Sequence, residues 1–259
     1  MAGTKRKNRL IVQERDRRLL VELATMQIID RELAKVVAGF GSTTRANTRL
    51  LKLTRAGLLN RFFIGSIAAG RKAVYTLSPR GGLLAGTEFR RISRSHGKTL
   101  VGDLYIDHQT QINEVYATVK HRPIPAGLRF IRWRYFHEAL TKDSRVVPDG
   151  YFELAQSASI RASFLEIDLG HQSMKVWEQK IRHYLQFALS GDFPRFFQQN
   201  QFRVLVITTS QRRLMTIRSV IAKQTDKVFW LSDFQTINRE GFWSATWLRP
   251  KGDQRLSLI

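Results

Sequence analysis

The chain has 259 residues, of which 43% are hydrophobic, so it contains enough apolar material for the cores of two domains. Cysteine is absent, which excludes disulfides and cysteine-based zinc sites and agrees with a reducing cytosol. The N-terminal segment lacks the apolar region of a signal peptide, and no apolar run approaches the ~20 residues that cross a bilayer. We therefore expect a cytoplasmic protein without a membrane partner.

The chain is strongly basic, with 43 Lys and Arg against 21 Asp and Glu and a net charge of +22. The first 100 residues hold 21 of the basic residues and only 6 of the acidic ones. A compact positive field of this size attracts polyphosphate, because the neutralised phosphates release their condensed counterions. Anionic membrane is the competing polyanion, and charge alone does not exclude RNA. We expect nucleic acid to be the partner.

Three helices are predicted in the first 57 residues. The first spans residues 14–29 and carries leucines at helical spacing. Asp30 is a suitable N-cap for a short second helix, and Ser42 or Thr43 can cap a third helix that ends near Gly57.

A basic hairpin is predicted after the third helix. Its two strand-like runs lie at residues 58–64 and 73–77, and residues 79–82 are expected to end the unit. Three helices followed by a basic hairpin is the order of a winged helix-turn-helix module, which we assign to residues 1–87. A helix fits the major groove of double-stranded DNA, where its polar side chains reach base edges. The candidate DNA-binding residues are Arg45, Asn47, Thr48, Arg49, Lys52, Arg55, Arg71 and Lys72. The alternative is that these side chains form a solvated helix face.

A second domain is predicted at residues 104–259. Residues 88–103 are basic and polar and are interpreted as a linker. From about His108 the pattern indicates the order α-β-β-β-α-β-α-β, a sheet with helices packed against it. The expected fold class of the whole chain is therefore mixed α/β (α+β). The basic segment at residues 1–10 is either an arm that follows DNA or a solvated tail.

Acidic residues interrupt an otherwise apolar strand of this second domain. Strand alternation places Glu166 and Asp168 on one face, where two carboxylates are costly unless they are paired or bind a metal. Asp149 can lie beside Glu166 if the preceding strand is an antiparallel neighbour. On the next helix, Lys180 lies at the edge of the buried stripe and can point toward the acids.

This pattern predicts a metal-dependent catalytic site. Asp149, Glu166 and Asp168 are the candidate metal ligands, and Lys180 completes the catalytic set. Mg²⁺ prefers such hard oxygen ligands. It can polarise a phosphate and lower the pKa of an attacking water, while a lysine stabilises developing negative charge.

Two alternatives compete with catalysis. Lys180 could neutralise Glu166 and Asp168 in a structural ion-pair network, or the acids could face solvent and repel DNA from one edge. Other chemistries have little support, because the chain has no His-x-His pair, no His-Glu-x-x-His motif and no Gly-x-Ser-x-Gly motif.

The chain resembles the bacterial replication-relaxation proteins, which are associated with plasmid replication and plasmid DNA relaxation. The segments that carry the resemblance are residues 15–20, 53–59, 75–81, 147–151, 164–168, 180–184 and 206–210. The resemblance implies a DNA-binding protein of a plasmid or mobile element that acts in replication or DNA relaxation. A homodimer is an expectation of the winged-helix class, although no residue pattern indicates the interface.

The second half is also similar to the restriction-endonuclease fold, whose signature is Pro-Asp followed by an acid, any residue and a lysine. Pro148-Asp149 and Glu166 match this signature, whereas Asp168 occupies the lysine position. Lys180 would supply the lysine from the following helix, and Glu114 is a candidate assisting acid. The resemblance implies Mg²⁺-dependent DNA nicking. The alternative is a non-enzymatic transcription or replication regulator that keeps a degenerate nuclease fold.

Overall fold

The computed structural model describes residues 10–65, 70–87, 99–141 and 146–259. The chain divides into two compact units, unit 1 (residues 1–117) and unit 2 (residues 118–259). The described residues form helices as well as two sheets, so the predicted mixed α/β class is confirmed. The predicted basic segment lies outside the described residues except for Leu10, and so do residues 88–98 of the predicted linker.

Unit 1 combines helices with a small antiparallel sheet. Its elements are α1 (Glu14–Met26), β1 (Ile29–Asp30), α2 (Arg31–Ala38), α3 (Thr43–Arg55), β2 (Leu59–Ile64), β3 (Lys72–Leu77), α4 (Pro79–Ala85) and α5 (Thr99–Lys120), which continues beyond the unit. The strand order is β1-β3-β2. The predicted order of three helices followed by a hairpin is therefore present, with β1 inserted before α2.

Side-chain caps determine where the helices of unit 1 begin. The carboxylate of Asp30 accepts a hydrogen bond from the Leu33 N–H at 2.8 Å, and the hydroxyl of Ser42 accepts one from the Arg45 N–H at 3.2 Å. Each cap satisfies a backbone donor that a helix N-terminus leaves without an intrahelical partner. The predicted cap at Asp30 is confirmed, and Ser42 rather than Thr43 caps α3.

Three predicted boundaries in unit 1 are corrected. The first helix ends at Met26 and not at Ile29, because Ile29 pairs with Tyr75 in the sheet. Pro79 does not end the unit but begins α4, since the fixed φ of proline suits the first turn of a helix. Residues 99–103, predicted as linker, are the first residues of α5.

Helix α5 is anchored to unit 1 by a buried asparagine. The side-chain amide of Asn113 donates to the carbonyl oxygens of Met26 at 2.9 Å and Ile28 at 2.8 Å, which lie where α1 ends. Buried polar groups are stable only when they are hydrogen-bonded, so this contact fixes α5 against α1. Residues 104–117, which the sequence analysis gave to the second domain, therefore belong to unit 1.

Unit 2 is built on one seven-stranded sheet in the order β10-β9-β8-β7-β6-β5-β4. Its elements are β4 (Leu128–Arg134), β5 (Gly150–Gln156), β6 (Ser159–Asp168), α6 (Met174–Leu189), α7 (Asp192–Phe197), β7 (Phe202–Thr208), α8 (Gln211–Ala222), β8 (Phe229–Asp233), α9 (Phe234–Glu240), β9 (Trp247–Leu248) and β10 (Arg255–Leu256). Strands β4, β5 and β6 are antiparallel neighbours, and β6, β7 and β8 run parallel. The predicted α-β-β-β-α-β-α-β order begins with α5 and is interrupted once, by α7, which lies between α6 and β7.

The core of unit 2 lies between the sheet and helices α6 and α8. Phe164 of β6 is fully buried against a cluster of aromatic rings that includes Tyr184 and Phe202. Alternation along the strand then places Glu166 and Asp168 on this helix-covered face, and Arg161 and Leu165 on the other. Among the described residues, no helix combines the length and the apolar character that crossing a membrane requires.

Candidate functional site

The acidic site is organised by the pairing of β5 with β6. Gly150 lies opposite Leu165, and the N–H of Asp149 donates to the Leu165 carbonyl at 3.1 Å. The N–H of Ile167 donates in turn to the Asp149 carboxylate at 2.6 Å. The predicted antiparallel arrangement therefore places Asp149 beside Glu166, where its charge acts on the Glu166 carboxyl.

Helix α6 covers Glu166 with two hydrogen-bond donors. Lys180 Nζ lies 2.5 Å from Glu166 Oε2, and the Tyr184 hydroxyl donates to Glu166 Oε1 at 2.6 Å. Lys180 and Tyr184 are four residues apart and so lie on the same face of the helix. The Glu166 side chain is 1% exposed and that of Lys180 is 16% exposed. The structure thus brings Asp149, Glu166 and Lys180 together.

The pKa values of Glu166 and Lys180 are both shifted by burial and by neighbouring charges. Burial raises the pKa of Glu166 above its ordinary value, and the Asp149 charge adds to this increase, while Lys180 opposes it. Burial lowers the pKa of Lys180, but the charges of Glu166 and Asp149 outweigh burial and leave that pKa raised. Glu166 and Lys180 thus form a buried ion pair on which the Asp149 charge also acts.

Asp168 has a separate set of partners. Its carboxylate receives two hydrogen bonds from Arg213 of α8, at 2.7 and 2.8 Å, and one from Trp177 Nε1 at 2.8 Å. The N–H of Gly170 donates to it at 2.8 Å. Burial would raise the pKa of Asp168, but the hydrogen bonds from Arg213, Trp177 and Gly170 outweigh it and hold the pKa below its ordinary value.

The predicted three-carboxylate metal site does not fit these contacts. Both oxygens of Asp168 accept hydrogen bonds from Arg213, and the side chain is fully buried. Within the part of the chain that is described, no group of three or more His, Cys, Asp or Glu side chains could hold a metal ion. Of the predicted catalytic set, Asp149, Glu166 and Lys180 lie together, and only the first two of these were predicted as metal ligands. Glu114 lies on α5, in the part of that helix that belongs to unit 1.

Two residues that complete the acidic site were not assigned a role from the sequence. Tyr184 lies four residues after Lys180, and this spacing could have indicated a second donor on the same face of the helix. Arg213 is 45 residues from Asp168 in the chain, and no local pattern connects the two.

In unit 1, helix α3 presents a continuous basic face. Arg45, Thr48, Lys52 and Arg55 are exposed and follow one another at spacings of three or four residues, which places them on one side of the helix. The sequence of α3 contains no acidic residue. We call these four residues the α3 basic face.

Arg49 is held inside unit 1. Its Nε donates to the Oδ1 of Asp16 at 2.8 Å, its Nη2 contacts the other carboxylate oxygen, and Nη2 also donates to the Ile11 carbonyl at 2.7 Å. Asp16 is fully buried and Arg49 is 15% exposed. The hydrogen bond from Arg49 to Asp16, together with their opposite charges, raises the Arg49 pKa despite burial. Arg49 is thus used in the internal packing of α3 against α1.

A cleft lies between α3 and the hairpin of β2 and β3. Lys72 of β3 pairs with the Asp30 carboxylate, and the Tyr75 hydroxyl donates to Asn47 Oδ1 at 3.5 Å. Arg71 is exposed. The cleft has a volume of about 460 Å³, and its lining includes Asn47, Arg71, Lys72 and Tyr75. The predicted residues of the hairpin therefore lie on the same cleft as Asn47 of the predicted recognition helix.

The comparisons with known proteins define the class to which this architecture belongs. The family model described as replication-relaxation matches residues 20–198. The chain therefore belongs to the replication-relaxation family, and the resemblance noted from the sequence is confirmed. A search of curated proteins found no match.

Among solved structures, the chain has a similarity to a protein titled restriction endonuclease FokI. The identity is 12% and the TM-score is 0.33, over 87% of this chain and 43% of that one. The chain thus spans less than half the length of that protein. At this TM-score the similarity is too weak to support a structural argument.

We predict that Arg49→Met destabilises unit 1 and that Arg45→Met does not. The first change leaves the buried Asp16 carboxylate without its cation, which costs about 3 kcal/mol, whereas Arg45 is exposed and one helical turn away. Urea denaturation followed by circular dichroism measures both variants. Equal stabilities of the two variants would contradict the internal role of Arg49.

We also predict that Arg213→Met lowers the stability of unit 2 by about 3 kcal/mol near neutral pH. The folded-state pKa of Asp168 is lowered, so its contribution is present above the unfolded pKa of about 4 and is lost as pH falls through the folded-state value. The difference between wild type and variant should therefore shrink in acid. Thermal unfolding from pH 7 down to pH 3 measures it, with exposed Arg212→Met as the control. A difference that is independent of pH would refute the ionic contact.

Proposed function

We propose that the protein binds double-stranded DNA through unit 1 and acts in replication or DNA relaxation of a plasmid or mobile element. The α3 basic face is the observation that carries this proposal, because it is exposed and its helix has no acid to repel phosphate. Membership of the replication-relaxation family agrees with it. A cytoplasmic location and a homodimer stay predictions from the sequence.

The order α1-β1-α2-α3-β2-β3 supports a winged-helix mode of binding. In this mode α3 enters the major groove, where Arg45 and Thr48 approach base edges and Lys52 and Arg55 approach phosphates. Arg71, on the hairpin side of the cleft, would contact the backbone.

We predict that Arg45→Ala weakens DNA binding about tenfold at ~0.1 M salt, because a charged hydrogen bond to the duplex is lost. Lys52→Ala should weaken binding to all sequences alike and reduce the salt dependence by about one phosphate contact. Fluorescence anisotropy with a labelled duplex measures both effects.

Arg18→Ala is the matched control for this experiment, since Arg18 is an exposed arginine on α1. An affinity for DNA that is the same in the Arg45, Lys52 and Arg18 variants would remove the assignment of α3 as the recognition helix.

A second candidate function is Mg²⁺-dependent nicking of DNA by unit 2. The convergence of Asp149, Glu166 and Lys180 favours it, because two carboxylates and a lysine are the groups that the restriction-endonuclease signature requires. Mg²⁺ bound there would polarise a phosphate and activate water. Asp149 and Glu166 would hold the cation, and the Lys180 ammonium would stabilise negative charge on the phosphate. Each Glu166 oxygen already accepts one hydrogen bond, so a cation bound there would share that oxygen with Lys180 or Tyr184.

A degenerate nuclease fold is the competing interpretation. Asp168 occupies the position of the signature lysine and is neutralised by Arg213, and both oxygens of Glu166 already have donors. In this case unit 2 would serve as a module for interaction in a non-enzymatic regulator.

Supercoiled plasmid incubated with the protein and Mg²⁺ or Mn²⁺ distinguishes the two. If unit 2 nicks DNA, we predict relaxed or linear product that is lost in Asp149→Ala and in Glu166→Ala, because each removes a cation ligand. The product should persist in Glu178→Ala, which removes an exposed acid from α6. No product with either metal, or product that persists in the Asp149 and Glu166 variants, would support the degenerate fold.

A further inference from the structure

Three arginines lie close together beside Trp230, on the face of the unit 2 sheet opposite α6 and α8. Arg161, Arg203 and Trp230 project from β6, β7 and β8, each next to residues whose side chains enter the helix-covered core. The Arg203 guanidinium carbon lies 5.2 Å from the Trp230 ring centre, and that of Arg249 lies 4.9 Å from it. The indole ring thus orients two guanidinium groups. We call Arg161, Arg203 and Arg249 the arginine cluster.

The arginine cluster is poorly satisfied by the protein itself. Arg161 and Arg203 each donate one hydrogen bond to the Leu258 carbonyl at 2.9 Å, and Arg249 donates one to the Asp226 carbonyl at 2.9 Å. A guanidinium group has five N–H donors, so most donors of the cluster have no acceptor among the described residues. No carboxylate forms an ion pair with any of the three in that same part of the chain.

The pKa values of Arg203 and Arg249 agree with a positive charge that no carboxylate of the described residues balances. Burial lowers the pKa of Arg203 to about 10, and the charges of Arg161 and Arg249 contribute to the decrease. Burial also lowers the pKa of Arg249, which the nearby Asp226 only partly opposes. Three cations held together at this depth repel one another, and a bound anion would relieve the repulsion.

We propose that the arginine cluster binds a phosphate group, supplied by a DNA backbone or by a free phosphate compound. The planar fork of arginine matches phosphate oxygens, and stacking on Trp230 holds two of the forks in place before the ligand arrives. If the phosphate belongs to a DNA backbone, this proposal rests on the proposed function and adds a contact with DNA in unit 2.

This site is separate from the acidic one. Arg161 and Glu166 lie five positions apart on β6, which is about 16 Å along a strand, and they project from opposite faces of the sheet. A change in the arginine cluster should therefore leave Asp149, Glu166 and Lys180 in place.

The test uses Arg161→Met and Arg203→Met, which keep an apolar stem and remove one charge each. Arg182→Met is the control, because Arg182 is an exposed arginine on α6 of the same unit. In the first measurement, anisotropy with a labelled duplex is recorded over a range of KCl concentrations. We expect both cluster variants to bind about tenfold more weakly at ~0.1 M salt and with a smaller salt dependence, and the control to match wild type.

The second measurement detects a free phosphate ligand and does not depend on DNA. The melting temperature of each protein is compared in sodium phosphate or pyrophosphate and in sodium chloride of equal ionic strength. Stabilisation by a ligand that binds the folded state raises the melting temperature of wild type and of Arg182→Met but not of the cluster variants. The melting temperatures in chloride show that the variants are folded, since removing one of three like charges should not destabilise them.

The two measurements together distinguish a DNA phosphate, a free phosphate ligand and the absence of a phosphate site. Loss of DNA affinity in both cluster variants supports the backbone as the source, and loss of phosphate-dependent stabilisation alone supports a free phosphate ligand. Cluster variants that match Arg182→Met in both measurements would overturn the proposal. If Arg45→Ala weakens DNA binding and the cluster variants do not, the proposed function stands without a DNA contact at the cluster. If wild type fails to bind DNA, that function fails while the second measurement still tests the cluster.

Discussion

A buried carboxylate must have a positive or hydrogen-bonding partner, and this requirement organises both units of the protein. Desolvating such a group without a partner costs several kcal/mol. Asp16 is paired with Arg49, Glu166 with Lys180 and Tyr184, and Asp168 with Arg213 and Trp177. Because each pair joins two different helices or a strand and a helix, the pairs also determine how these elements pack.

The same requirement separates two kinds of arginine in this basic protein. Arg49 and Arg213 form ion pairs with buried carboxylates, so their charge is not available to a ligand. Arg45 is exposed on a helix without acids, and Arg203 is half-buried among other cations. A net charge of +22 therefore indicates an anionic partner only through basic residues that no carboxylate in the described part of the chain neutralises, such as Arg45 and Lys52.

The replication-relaxation match covers the acidic site but only part of the other features. Asp149, Glu166 and Lys180 lie within residues 20–198, whereas Arg213 and most of the arginine cluster lie beyond them. Family membership therefore gives no role to the ionic contact of Asp168 or to a phosphate site around Trp230. Both depend on strands and helices that complete the sheet after β6.

The sequence by itself determined most of the local structure and grouped three of the four predicted catalytic residues correctly, while it wrongly added Asp168 to the group. Cap residues and periodicity identify α2, α3 and α6, because these signals act within a few residues. Strand alternation and the next helix were enough to associate Asp149, Glu166 and Lys180. The tertiary structure alone decided that Arg213 neutralises Asp168, that Arg49 turns inward to Asp16, and that Arg161, Arg203 and Arg249 meet. These contacts join residues that are far apart in the chain. They form because of strand order, register and helix packing, and no local sequence pattern encodes these features.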